Sequence, residues 1–89
     1  MNTVLVTGAN RGLGYEFVKQ YSEIGLNVFA CCRNIEHAKN LKKLAEDLSN
    51  IKIYQLDVGN IKEIINLSKQ LQDKKIDVLI NNAGIYRSS

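Results

Sequence analysis

Eighty-nine residues with a formal charge of +3, 45% hydrophobic and 24% charged side chains describe one small globular unit and exclude a disordered or fibrous chain. The lysines, Lys39, Lys42, Lys43, Lys62, Lys69, Lys74 and Lys75 among them, are scattered without a basic tract or interleaved aromatics, which excludes a nucleic-acid partner and reads as solvated helix faces. No apolar run approaches the ~20 residues of a membrane span, and no basic leader with a cleavage site precedes the first strand, so the expected address is the cytoplasm with no membrane partner.

In chain order, Thr3 to Thr7 is predicted as a short buried strand around the apolar run Val4-Leu5-Val6. It leads directly into Thr7-Gly8-Ala9-Asn10-Arg11-Gly12-Leu13-Gly14. Glycines at these spacings let a backbone turn sharply off a strand and approach a ligand without Cβ interference. The helix that follows presents unpaired N–H groups and its positive dipole end, so the segment reads as a phosphate cradle. Leu13, Phe17, Val18, Tyr21 and Ile24 then recur at helical spacing until Gly25.

Val28 to Cys32 is a second strand, and Cys31 and Cys32, adjacent in it, point to opposite faces and are poorly placed to pair. Asn34 is expected to cap a second helix carrying Ala38, Leu41, Leu44, Ala45 and Leu48. Ile51 to Leu56 is a third strand ending at Asp57. Asn60 and Glu63 resemble a capping box for a third helix with Ile61, Ile64, Ile65, Leu67, Ser68 and Leu71. Ile76 to Ile80 forms a fourth strand, followed by Asn81-Asn82-Ala83-Gly84. Strands alternating with helices imply right-handed crossovers and a doubly wound parallel α/β sheet of four strands and three helices, a partial Rossmann layer occupying residues 1–89 as one portion of a domain.

The glycine turn off strand one, the strand ending in Asp57, and Asn81-Asn82-Ala83-Gly84 after strand four together resemble the short-chain dehydrogenase/reductase family, with local wording most like its carbonyl-reductase-like and C-factor-like members. The resemblance spans residues 2 to about 85 and implies strand order 3-2-1-4, with a dinucleotide bound outside the carboxyl ends of strands one and four. It implies that Gly8 makes the tight turn, Gly12 admits the pyrophosphate and Gly14 allows close helix–strand packing, with Asn10, Arg11 and Leu13 completing the cofactor loop. Asp57 and Val58 resemble the family's adenine-contacting pair, although Asp57 can equally cap the turn after its strand. The backbone at Ala83 and Gly84 would flank a ribose, and Asn81 and Asn82 would order the crevice through hydrogen bonds to backbone.

An acidic residue after the second strand would grip the adenosine ribose of NAD and repel a 2′-phosphate, but no acid stands at Cys31, Cys32 or Arg33. Arg11 and Arg33 can pair with a phosphate, so the resemblance implies NADP in preference to NAD, unless these arginines are merely solvated. The family's chemistry uses a Tyr four residues before a Lys, with an upstream Ser. Tyr15 precedes Lys19 at that spacing but lies on the phosphate-binding helix, and none of Tyr21, Tyr54 and Tyr86 qualifies, so no catalytic residue is assigned. His37 has no ligand-spaced partner, and no metal site is assigned.

The expected function is therefore the amino-terminal cofactor-binding portion of an NAD(P)-dependent carbonyl or alcohol oxidoreductase, inactive alone. The alternatives are one subunit of a split reductase, completed by a second chain, and a receiver-like signalling domain with Asp57 as phosphoacceptor. The missing acidic residues after strand one weigh against the receiver reading, and Gly12 lacks the Lys of a P-loop. Val78, Leu79 and Ile80 are expected on an open sheet edge, which predicts self-association or a complementing carboxyl-terminal chain.

Overall fold

Short runs that are apolar at every position suit strands buried on both faces, and helices between them must return each strand parallel to the last. The structure, a computed structural model, describes residues 2–10 and 12–82 and realises this arrangement. Its elements are β1 (Thr3–Thr7), α1 (Gly12–Glu23), β2 (Asn27–Cys32), a short 3₁₀ turn (Ile35–His37), α2 (Lys39–Asp47), β3 (Ile51–Gln55), α3 (Ile61–Gln70) and β4 (Val78–Asn81). The sheet is parallel throughout in the order β3-β2-β1-β4, with Val4 opposite both Val28 and Val78. The doubly wound reading, its strand order and its three helices are thus those of the molecule.

Alternation along the strands divides the core. Val4, Val6, Val28, Ala30, Cys32 and Ile51 pack on one face with Val18 of α1 and Leu41 of α2. Leu5, Phe29 and Cys31 pack on the other with Leu56 and with Leu67 and Leu71 on and just beyond α3. Burying Leu41 completely contributes about 2 kcal/mol. Phe29 and Tyr54 meet edge to face across β2 and β3, with ring centroids 5.4 Å apart. Asn50 ties the end of α1 to the sheet, donating from Nδ2 to the Ser22 carbonyl (2.9 Å), which also accepts from the Gly25 N–H, and to the Leu26 carbonyl (2.7 Å).

Several boundaries differ from the sequence reading, β2 starting at Asn27 and β4 ending at Asn81 among them. Asn34 does cap, accepting from the Glu36 N–H at 3.1 Å, but what it caps is the 3₁₀ turn. The α-helix restarts at Lys39 after Ala38, whose ψ of 59° breaks the helical run. The fourth strand begins at Val78, not Ile76, because Asp77 is occupied at the foot of β1: its Oδ2 accepts from the Thr3 N–H at 2.8 Å while its N–H donates to the Thr3 carbonyl at 2.9 Å. Ile76 instead packs beneath α3. The strand β3 ends at Gln55, one residue earlier than read, and Leu56 holds the sheet by a single bond from its N–H to the Cys32 carbonyl.

Cys31 and Cys32 are free, fully buried thiols on opposite faces, as the strand alternation requires. Burial, with Cys32 alongside, pushes the Cys31 thiol from 9.0 up to about 12. Burial also raises Cys32, against the opposing pull of the Asn34 N–H and Lys42. A raised folded pKa means the fold holds the proton. Its stabilising effect is complete below the unfolded value and fades as pH climbs toward the folded one. Denaturant stability is therefore expected to fall between pH 9.0 and about 12. In the folded chain at about pH 8 both thiols should resist iodoacetamide that labels them in guanidinium, read by mass. Fast labelling of the folded chain would show that these thiols are not core.

Candidate cofactor site

At the carboxyl end of a parallel strand the backbone ladder runs out, and the polar groups left there must find other partners. The chain meets this need at β1 and β4 with side chains. The Thr7 hydroxyl donates to Asn81 Oδ1 at 2.8 Å, and Asn82 Nδ2 donates to the Gly8 carbonyl at 3.1 Å, both across 74 residues of sequence. Hydrogen bonds to backbone were expected of both Asn81 and Asn82; Asn82 makes one, while Asn81 pairs with the Thr7 side chain instead. Asn82 holds the glycine turn from the β4 side, and the Ala9 N–H donates to the Cys31 carbonyl at 2.9 Å from the β2 side.

Within the turn the glycines have different reasons. Gly8 and Gly12 adopt φ of 61° and 56°, in the left-handed region that side chains disfavour. A Cβ at Gly12 would meet nothing within 4 Å, so the chain leaves open space beside the first turn of α1. Gly14 is the reverse case: a Cβ there would collide with the Gly8 carbonyl oxygen and lie 2.6 Å from Asn82 Nδ2. The helix start, the turn and the end of β4 are thus in contact at one point. The first N–H groups of any α-helix lack intrahelical partners and lie at its positive dipole end, so the start of α1 at Gly12 is suited to a phosphate.

The other side of the sheet end is charged. Arg33 follows β2 with its side chain 76% exposed, and its Nε lies 3.9 Å from Asp57 Oδ2 after β3. Asp57 does cap its turn, since Oδ1 accepts from the Gly59 N–H at 2.9 Å, yet its other oxygen still faces Arg33. Val58 is exposed beside it. Gly8, Asn10, Gly12, Leu13, Gly14, Arg33, Asp57, Val58 and Asn81 therefore all stand at the carboxyl ends of the strands or the start of α1. Arg11, Ala83 and Gly84 lie outside the described residues.

One residue was read for less than it does. Glu63 stands in the first turn of α3, where a capping box would send its carboxylate to the Asn60 N–H. That N–H is already bonded to the Asp57 carbonyl at 2.8 Å. Asn60 caps Lys62 and Glu63 as expected, but Glu63 Oε1 reaches past it to the Asp57 N–H at 2.8 Å. The Asn-x-x-Glu spacing was the available signal, and the competing turn changed the recipient.

The pattern of the short chain dehydrogenase family matches residues 2–89. The chain is 41% identical over 86 residues to the NADPH-dependent 1-acyldihydroxyacetone phosphate reductase of Saccharomyces cerevisiae, a match covering 90% of this chain and 28% of that protein. It resembles the solved structure of a carbonyl reductase from Pseudomonas aeruginosa PAO1 in complex with NADP, with a TM-score of 0.88 and 32% identity over 97% of this chain and 40% of that one. It also resembles the carbonyl reductase Sniffer of D. melanogaster, with a TM-score of 0.75, 39% identity, and 99% and 38% of the two chains covered. Each match takes in less than half of the longer protein.

The contact at Gly14 has a measurable consequence. Gly14→Ala is expected to destabilise the chain by about 1–3 kcal/mol, because backbone must move to admit the methyl group. Gly12→Ala, where only the backbone conformation resists, should cost about 1 kcal/mol. Urea unfolding of both variants gives the comparison, and the reverse ranking would remove the packing role assigned to Gly14.

Proposed function

The chain belongs to the short chain dehydrogenase family, and on that premise we propose that residues 1–89 are the amino-terminal, dinucleotide-binding portion of an oxidoreductase that moves hydride between NADP and a carbonyl or alcohol. The observation that carries this reading is the convergence of Gly8, Gly14 and Asn82 beside the open start of α1. It joins the two most specific stretches of the sequence at one place, at the switch in strand order. The receiver-type reading, which rested on Asp57 alone, is set aside by the family match.

Nicotinamide dinucleotide supplies the hydride chemistry when bound, and this chain's residues bind and orient it. Backbone N–H groups at the start of α1 would face the pyrophosphate. Asp57 and Val58 would border the adenine, with Asp57 Oδ2 able to accept from its amino group. Arg33 would meet the 2′-phosphate. Its pair with Asp57 is long and exposed, and such pairs are worth at most about 1 kcal/mol, so a doubly charged phosphate can draw the guanidinium away. Arg11, Ala83 and Gly84 are proposed to complete the loop and the ribose wall. Tyr15 is partly buried on α1 against the core, and the chain alone is proposed to transfer no hydride. Two buried free thiols accord with a cytoplasmic address.

Titration with NADPH and NADH tests the cofactor preference. The chain should bind NADPH more tightly, and Arg33→Ala should weaken NADPH about tenfold, the worth of one charge-assisted hydrogen bond, while leaving NADH within about twofold. Equal losses for both cofactors would remove Arg33 from the 2′-phosphate site. NADPH oxidation by the purified chain with a carbonyl substrate would refute its inactivity.

The partner proposed is a complementing carboxyl-terminal polypeptide, with a second copy of the chain as its substitute. Beyond β4, among the described residues, no strand follows, and Val78 and Leu79 are 47% and 65% exposed. Between β1, β4 and α3 lies an apolar groove of about 620 Å³, lined by Leu5, Leu56, Ile64, Leu67, Leu71 and Leu79. Sedimentation should show the isolated 10.0 kDa chain associating as its concentration rises, and Leu79→Lys should return it toward the monomer. A wild-type chain that stays monomeric at ~100 μM, within the range where exposed apolar edges associate, would reject the exposed edge as a contact surface.

A further inference from the structure

The side chain that holds the Asp57 turn is not itself at the opening. Both oxygens of Glu63 are engaged at the end of β3: Oε1 accepts from the Asp57 N–H at 2.8 Å, and Oε2 accepts from Gln55 Nε2 at 3.3 Å. Glu63 is also fixed at its own end, since its N–H donates to the Asn60 cap at 3.3 Å. The first turn of α3 is therefore bolted to the last residues of β3 by a charge-assisted bond to main chain, the stronger kind. The bond fixes where Asp57 leaves the strand. It leaves the Asp57 carboxylate divided between the Gly59 N–H and Arg33.

From this arrangement we propose that Glu63 is a positioning residue for the adenosine half of the cofactor: it touches no ligand and acts by setting the direction of the Asp57 carboxylate and, through it, of Arg33. The proposal rests on the reading of Asp57, Val58 and Arg33 as the adenosine end of the site. Without the Glu63 carboxylate the Asp57 N–H loses its partner, the turn from Asp57 to Asn60 is held only by its own bonds, and Asp57 Oδ2 and Arg33 Nε are no longer held at 3.9 Å. The glycine turn, held by Asn82 and by the Cys31 carbonyl and not by Glu63 or Asp57, keeps these contacts.

The test separates the two sides with two probes on the 89-residue chain. Adenosine 2′,5′-bisphosphate carries adenine and the 2′-phosphate, and inorganic pyrophosphate reports the glycine turn alone. Glu63→Ala should weaken the bisphosphate about tenfold, as expected for losing one charged hydrogen bond, and change pyrophosphate by less than about twofold. Glu63→Gln keeps an acceptor oxygen and should stay within about threefold of wild type for the bisphosphate. Alanine and wild type binding the bisphosphate equally would overturn the proposal. Equal weakening of both probes, which general loosening of the fold would produce, would overturn it too. A wild-type chain that binds neither probe would reject the cofactor reading itself, and this inference with it.

Discussion

The site depends on one close fit, the helix backbone at Gly14 against the carbonyl of Gly8. A helix that begins immediately after a strand can lie against that strand's end only if the facing residue has no side chain. Here the space that a Cβ would need is already taken by a backbone oxygen and by the Asn82 amide that donates to it. That one constraint places the start of α1, the end of β1 and the end of β4 in mutual contact. The opening beside Gly12 follows from it, because the same turn that brings Gly14 inward must swing Gly12 outward with a positive φ.

The site's two sides are built by different physics. On the β1 side the described residues act by steric fit and neutral hydrogen bonds: glycines, and the Thr7–Asn81 and Asn82–Gly8 pairs. On the β2–β3 side the contacts are electrostatic, with Arg33, Asp57 and Glu63 in sequence around the strand ends. An exposed guanidinium with only a distant carboxylate partner suits a group that is present in one cofactor and absent from the other. Asp57 can cap its turn and still face Arg33, since a carboxylate has two oxygens and the turn uses one.

Much of this was legible before any coordinates. The glycine spacing and the Asn-Asn-Ala-Gly stretch announce their meeting because both sit where an apolar strand stops, and a parallel sheet brings all such ends to one side. What escaped the sequence was competition for single hydrogen-bonding groups. Asn34 has the right chemistry to cap a helix, but which helix depends on Ala38, whose backbone leaves the helical region. Asp77 has the look of a residue within a strand, yet its carboxylate is occupied by the Thr3 N–H. Glu63 fits a capping box in spacing alone, because the Asn60 N–H it would need is already bonded. Periodicity reports faces and lengths, whereas the recipient of a polar bond depends on atoms brought near by the rest of the fold.

The two faces of the sheet are unequally finished, and the inequality bears on the site. The α1–α2 face closes over β1, β2 and β3 with Val6, Val18, Val28 and Leu41 fully buried. The α3 face leaves a groove against β4, and Ile61, Ile64 and Ile65 remain exposed on its helix. Val78, Leu79 and Ile80 have the composition of a strand covered on both sides, yet only Ile80 packs into a core cluster. Asn81 and Asn82, which lock the glycine turn, extend from this same strand. The site's rigidity is therefore limited by the least covered strand in the sheet. Covering that groove would stiffen β4, and through the Asn82–Gly8 bond it would stiffen the glycine turn; because Thr7, Val58 and Asn81 also line the groove, its occupant would border the strand ends themselves.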